Sequence, residues 1–198
     1  MNLATASHWV FDMDGTLTVS VHDFVAIRRA LDIPLQDDIL EHLAALPTEQ
    51  GRAKHAWLLE HERELAIASR PAQGAVALVR QLAANGCRLG ILTRNAQELA
   101  HITLAAIGLA DCFAVADIIG RDEALPKPSP DGLLKLASAW GVAPGELVMV
   151  GDYRFDLECG RAAGARTVLV NVPENSWPEL CDWHAVDCHA LAGLIQNA

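Results

Sequence analysis

Short apolar runs recur along this chain. Each ends on a polar or acidic residue, and a stretch of helical periodicity follows. Trp9, Val10 and Phe11 run into Asp12; LGILT occupies 89–93, LVMVGD 147–152 and TVLVN 167–171. Between them lie AQELAHITLAAIGL and PDGLLKLASAWG, whose apolar residues recur at helical spacing with glycine at or near the end. Strands that alternate with helices predict an α/β fold, a doubly wound parallel sheet of Rossmann-like type covered on both faces. The chain has 198 residues, 52% of them hydrophobic, enough for one substantial core.

The alternation lapses between about Val21 and Arg70. That stretch predicts helices near 22–32, 36–46 and 49–69, punctuated by Pro34 and Pro47. We expect a small all-helical cap at 21–70, inserted after the first strand, and an α/β core built from 1–20 and 71–198. The insertion leaves and returns beside Asp12 and Asp14, where a lid is useful.

Bulk charge narrows the function. Net charge is -10, from 15 basic and 25 acidic residues, which argues against a nucleic acid partner. Apolar runs fall short of the roughly 20 residues that span a bilayer, so no membrane partner is expected. The amino terminus lacks a secretory pattern, and the five cysteines contain no CxxC pair, so a cytoplasmic location is expected. No HExxH spacing suggests zinc, and Cys181 and Cys188 read as ordinary buried thiols.

The chemistry sits in four strings at predicted strand ends. In FDMDGT, Asp12 and Asp14 are two carboxylates at the edge where open parallel sheets bind ligands. Buried carboxylates need a partner, so a cation or a reacting group is expected there. In ILTRNAQE, Thr93 closes a strand, and Arg94 and Asn95 follow in the turn. Asn95 is expected to be a helix N-cap with Glu98 as its capping-box partner, making an anion site at the helix end. In LPKPSPDG, prolines on both sides restrain Lys127, and Ser129 and Pro130 read as N-cap and first helical residue. In VMVGDYRFD, Asp152 is followed one helical turn later by Asp156, and Asp152 reads equally as ligand or N-cap. Hard oxygen donors from Asp12, Asp14 and Asp152 suit Mg²⁺, while Thr93, its following amides and Lys127 suit phosphate. Together they point to phosphoryl transfer.

These strings resemble the haloacid dehalogenase superfamily, in particular its phosphoglycolate-phosphatase-like group with a small helical cap. DxDGT stands as Asp12 to Thr16, the second motif as Thr93, KPxP as Lys127 to Pro130, and GDxxxD as Gly151, Asp152 and Asp156. Gly160, Ala163 and Gly164 match the tail that follows. The resemblance implies a Mg²⁺-dependent phosphatase in which Asp12 is the nucleophile and Asp14 the general acid, then base. It implies metal binding by the Asp12 carboxylate, the Asp14 carbonyl and Asp152, with Asp156 holding a metal-bound water or orienting its neighbours. Thr93 and Lys127 would hold the phosphoryl group. Thr16 favours a phosphatase over the mutase branch, whereas Val19 and Tyr153 replace the commoner acidic residue and serine.

The expected substrate is a small phosphorylated metabolite, phosphoglycolate being a candidate by family analogy, and the expected assembly a monomer or weak homodimer. The alternatives are a sugar-phosphate mutase on the same core and a non-enzymatic phospho-accepting switch. A dehalogenase lacks the second acid, which Asp14 supplies. Cap residues should choose the substrate: His22 and Arg28 are the expected contacts, with Asp23, Phe24, Arg52 and His55 as further candidates to line the pocket.

Overall fold

The computed structural model describes residues 2–20 and 23–197. Among them six parallel strands form one sheet: β1 (His8–Phe11), β2 (Arg88–Leu92), β3 (Ile118–Ile119), β4 (Leu147–Gly151), β5 (Arg166–Val170) and β6 (Trp183–Ala185). Their order is β3-β2-β1-β4-β5-β6. The sheet reverses direction of winding at β1, so the carboxyl ends of β1, β2 and β4 share one crevice. β1 registers Val10 against Gly90 on one side and Met149 on the other.

Alternation of side chains divides the core into two layers. Trp9 and Phe11 of β1 join Val148 and Val150 of β4 on one face, under α4 (Ala75–Ala84), α5 (Gln97–Ala106) and α8 (Cys188–Gln196). Val10, Leu147 and Met149 face the opposite way, under α6 (Asp131–Trp140) and α7 (Arg154–Ala163). Both faces are therefore covered, as the continuous apolar strands require. This is the doubly wound fold that the alternation predicts. The edge strands β3 and β6 were not expected, because two or three residues carry no periodic signal.

The all-helical insertion after β1 is present. It comprises α1 (Phe24–Ala30), α2 (Ile39–Ala44) and α3 (Thr48–Ile67). Asp23 and Asp38 start α1 and α2 by accepting backbone N–H groups with their carboxylates. Ile27, Leu31, Ile33, Ile39, Leu43 and Leu58 form a separate small cluster inside it. The two connections run side by side: Val19 N–H donates to Arg70 O at 3.0 Å, and Ala72 N–H to Leu17 O at 2.9 Å. Among the described residues, three ion pairs tie these helices to the sheet domain. They are Arg94–Asp38 at 2.6 Å, Arg63–Glu98 at 2.9 Å and Arg121–Glu62 at 3.0 Å. No helix of the described residues is long and apolar enough to cross a membrane.

Candidate active site

A cleft of about 640 Å³ lies between the helical insertion and the carboxyl ends of β1, β2 and β4. Asp12, Asp14, Thr93, Arg94, Asn95, Lys127, Asp152 and Asp156 all line it. Residues from four separated strings therefore meet at one place.

Asp12 continues β1, its N–H donating to Val150 O of β4 at 2.9 Å. Lys127 Nζ lies 2.5 Å from Asp12 Oδ1 and 2.6 Å from Asp156 Oδ1. All three side chains are nearly inaccessible to solvent. Burial alone would lower the lysine pKa, but the charges of Asp12 and Asp156 outweigh it and raise the value. Lys127 is thus a fixed cation inside the site, held from a loop with a cis peptide before Pro128.

The turn after β1 depends on glycine. Gly15 has φ +87°, and a Cβ there would meet Asp152 Oδ2 at 2.3 Å. Thr16 then reaches both acids: its hydroxyl lies 3.0 Å from Asp152 Oδ1 and 3.3 Å from Asp12 Oδ2. From the end of β5, Asn171 donates its side-chain N–H groups to the carbonyls of Gly15 and Thr16 at 2.7 and 2.8 Å. Asn171 itself sits at φ 61°. The sequence marks Thr16 as the end of the DxDGT motif and Asn171 as the end of a strand, but gives no sign of these contacts.

Asn95 is not the expected N-cap. Ala96 caps α5, and Glu98 pairs with Arg63 instead of closing a capping box. The Asn95 side chain is drawn away to Asp14, donating to its Oδ2 at 2.6 Å. The first amide of α5 does not open onto the cleft either, since Gln97 N packs against Gly120. The turn that lines the cleft is Thr93–Asn95 itself, where Thr93 Oγ1 accepts the Asn95 N–H at 3.1 Å and keeps its own proton to donate. Ser129 likewise stands one residue before the N-cap, which is Pro130, though its hydroxyl still accepts the Asp131 N–H. Asp152 is not a cap, because α7 starts behind Tyr153.

Asp12, Asp152 and Asp156 bring one oxygen each within 4.8 Å of one another. Burial, then the charge of Asp12, raises the Asp152 pKa to about 7. Burial first, then Asp12, likewise raises Asp14 to about 7, with Lys127 and the Asn95 bond opposing. Burial lifts Asp156 to about 6 against the pull of Lys127. Carboxylates that repel one another in a confined space suit a divalent cation, and the hard oxygen set suits Mg²⁺. Asp156 is the least available of them: Lys127 takes Oδ1 and the Tyr153 N–H takes Oδ2 at 3.1 Å.

On the cap side, Arg28 lines the cleft, with Nε donating to Asp37 O at 3.0 Å and Nη1 to Phe24 O at 3.2 Å. Phe24 lines it too. Asp23 is absorbed in capping α1. Arg52 and His55 lie on exposed positions of α3 outside the cleft, and α3 turns Leu58 and Glu62 inward instead. His22 lies outside the described residues. Glu62, Tyr153 and Phe155 are cleft residues that the sequence reading did not single out as lining it.

Comparisons with known proteins point to one family. The profile of the haloacid dehalogenase-like hydrolases matches residues 8–164. An uncharacterised hydrolase of Saccharomyces cerevisiae is 33% identical over 95% of this chain and 90% of its own. A phosphoglycolate phosphatase of Rhodospirillum rubrum is 30% identical over 82% of this chain and 78% of its own. A hydrolase from Pseudomonas syringae superposes with a TM-score of 0.79 at 25% identity, covering 97% of this chain and 98% of its own.

Proposed function

We propose that this chain, which belongs to the haloacid dehalogenase-like hydrolases, hydrolyses a small phosphomonoester through an aspartyl phosphate formed on Asp12. The observation that carries this reading is the separate pinning of two neighbouring carboxylates. Lys127 and Thr16 fix Asp12, while Asn95 fixes Asp14. Two acids held in different environments can take different roles, one ionised and one carrying a proton near neutrality.

In this reading an Asp12 carboxylate oxygen attacks phosphorus, and the bond to the ester oxygen breaks. Asp14 gives that oxygen its proton and then takes one from the water that attacks the same phosphorus. Phosphate leaves and the Asp12 carboxylate is restored. Thr93 and Lys127 hold the phosphoryl oxygens in line. Asp12, Asp152 and the Asp14 carbonyl would hold Mg²⁺, with Asp156 orienting Lys127; when bound, the ion supplies charge neutralisation at the transferring group.

The helices of residues 21–70 act as a lid over a core of 1–20 and 71–198. Curated relatives are named phosphoglycolate phosphatase and N-acetylmuramic acid 6-phosphate phosphatase, which supports a small phosphorylated metabolite as substrate. Five free thiols support a reducing, cytoplasmic setting.

The test is phosphate release over a metabolite panel with Mg²⁺, run beside Asp12→Asn and beside EDTA. Turnover is expected only from the wild type with metal. Equal release by Asp12→Asn removes the assigned nucleophile, and turnover unchanged by EDTA removes the assigned metal.

A further inference from the structure

We infer that the group esterified to phosphate is an uncharged, polyhydroxylated ring, a hexose-type sugar, and that Tyr153 is its specificity-determining platform. This deepens the phosphatase reading above and rests on it.

Among the described residues the cleft's two arginines, Arg28 and Arg94, are both already engaged. Arg94 is committed to Asp38, with Nη2 2.6 Å from Oδ2, and its guanidinium lies 5.4 Å from the Phe155 ring centre. Arg28 turns two of its donors onto main-chain carbonyls. Asp37, Asp38 and Glu62 add three carboxylates to the cleft lining. A leaving group with its own carboxylate would have to break the Arg94–Asp38 pair or sit beside these acids, and like charges at short range are costly in a confined site.

The same carboxylates suit hydroxyl groups. An ionised carboxylate accepts about four hydrogen bonds, so oxygens already paired with arginine or histidine still have lone pairs for sugar O–H donors. His42 Nδ1 holds Asp37 Oδ2 at 2.9 Å, Arg94 holds Asp38, and Arg121 holds Glu62 from behind with both oxygens at 3.0 Å. These acceptors are therefore preorganised before a ligand arrives.

The rim beside Arg94 is aromatic, since Phe155 lies against its guanidinium. Tyr153 lines the cleft and is 52% exposed. It is braced edge-to-face by Phe155 at 5.3 Å and by Trp177 at 5.5 Å between ring centres. A rigid, half-exposed ring beside carboxylate acceptors matches a pyranose, which has an apolar C–H face and a hydroxyl edge. At about 640 Å³ the cleft also exceeds the needs of a two-carbon phosphate.

The test compares kcat/KM, with Mg²⁺, for a hexopyranose 6-phosphate, 2-phosphoglycolate, a nucleoside 5′-monophosphate and acetyl phosphate. The hexose ester should exceed phosphoglycolate and the mononucleotide by about tenfold or more. Tyr153→Ala should lower the ratio of hexose ester to acetyl phosphate by about tenfold, mainly through KM, and Tyr153→Phe should restore it. Calorimetric binding of the hexose ester to Asp12→Asn, with and without Tyr153→Ala, should show the same loss without turnover. Turnover of acetyl phosphate with phosphoglycolate or the mononucleotide preferred over the hexose ester overturns this inference and leaves the phosphatase reading standing. So does a Tyr153→Ala ratio equal to wild type. No phosphate from any of the four overturns both.

Discussion

Asn95 donates its side-chain N–H to Asp14 Oδ2 across 2.6 Å. The bond opposes burial and the Asp12 charge, which together lift the Asp14 pKa to about 7. A donor favours the charged carboxylate, so removing it lets the pKa rise further. Asn95→Ala should move the alkaline limb of the kcat/KM profile to higher pH, because Asp14 keeps its proton longer. Plateau kcat/KM should fall about tenfold as Asp14 loses its orientation. pH–rate profiles of both proteins check this, and a limb shifted to lower pH contradicts it.

Lys127 is the cation that makes the acid cluster tolerable, with Asp12 at 2.5 Å and Asp156 at 2.6 Å. Lys127→Met leaves buried carboxylates without that partner. We expect a loss of ~3–5 kcal/mol in unfolding free energy at pH 7.5, measured by urea titration. At pH 5 the loss should shrink, because acids with raised pKa values then carry protons. An equal loss at both pH values would point to packing rather than charge.

Asp14 and Asp152 titrate near 7 and Asp156 near 6, against an ordinary 3.8. Between about pH 4 and 7 the folded state therefore binds more protons than the unfolded chain, so stability falls as pH rises. Lys127 acts in another window, above its ordinary value of 10.5. In EDTA, the Tm contribution of this cluster should decline from pH 5 to pH 8. Mg²⁺ should raise Tm more at pH 8 than at pH 5, since deprotonated carboxylates bind the ion. Thermal melts of wild type and of Asp152→Asn, which removes one raised acid, separate this effect from the rest of the protein. A variant with the same pH slope as wild type would contradict the assignment.

Strands β1, β2, β4 and β5 were legible because each carries a short apolar run that leads into a polar residue. The site acids were legible for the same reason, since a carboxylate at such an end is conspicuous. What escaped detection depends on chain segments far apart. The capping rule is local, but the partner that claims Asn95 is 81 residues away. Thr16 meets Asp152 across 136 residues, and Asn171 meets Gly15 across 156. No local pattern encodes such approaches. Helix α3 misled for another reason: its charged residues are spread around it, so nothing in its spacing says that Glu62 faces the cleft while Arg52 and His55 face away.

Gly15 offers the sharpest test of how closely the turn after β1 must approach the later acid. At φ +87° any L side chain is strained by ~1–2 kcal/mol, and a Cβ would stand 2.3 Å from Asp152 Oδ2. Asp152 cannot yield without losing its 3.0 Å bond to Thr16 and its place among the donors near Asp12. Gly15→Ala should therefore lower kcat/KM ~100-fold or more and weaken Mg²⁺ affinity, since displacements of about 1 Å are that costly in a positioned site. Gly86 is the control, with φ +77° and no atom within 4 Å of its built Cβ. Gly86→Ala carries the same backbone strain far from the cleft, so its melting temperature should drop while kcat/KM stays within about twofold. Matching activity losses in the two variants would assign the effect to backbone strain and remove the argument from Asp152.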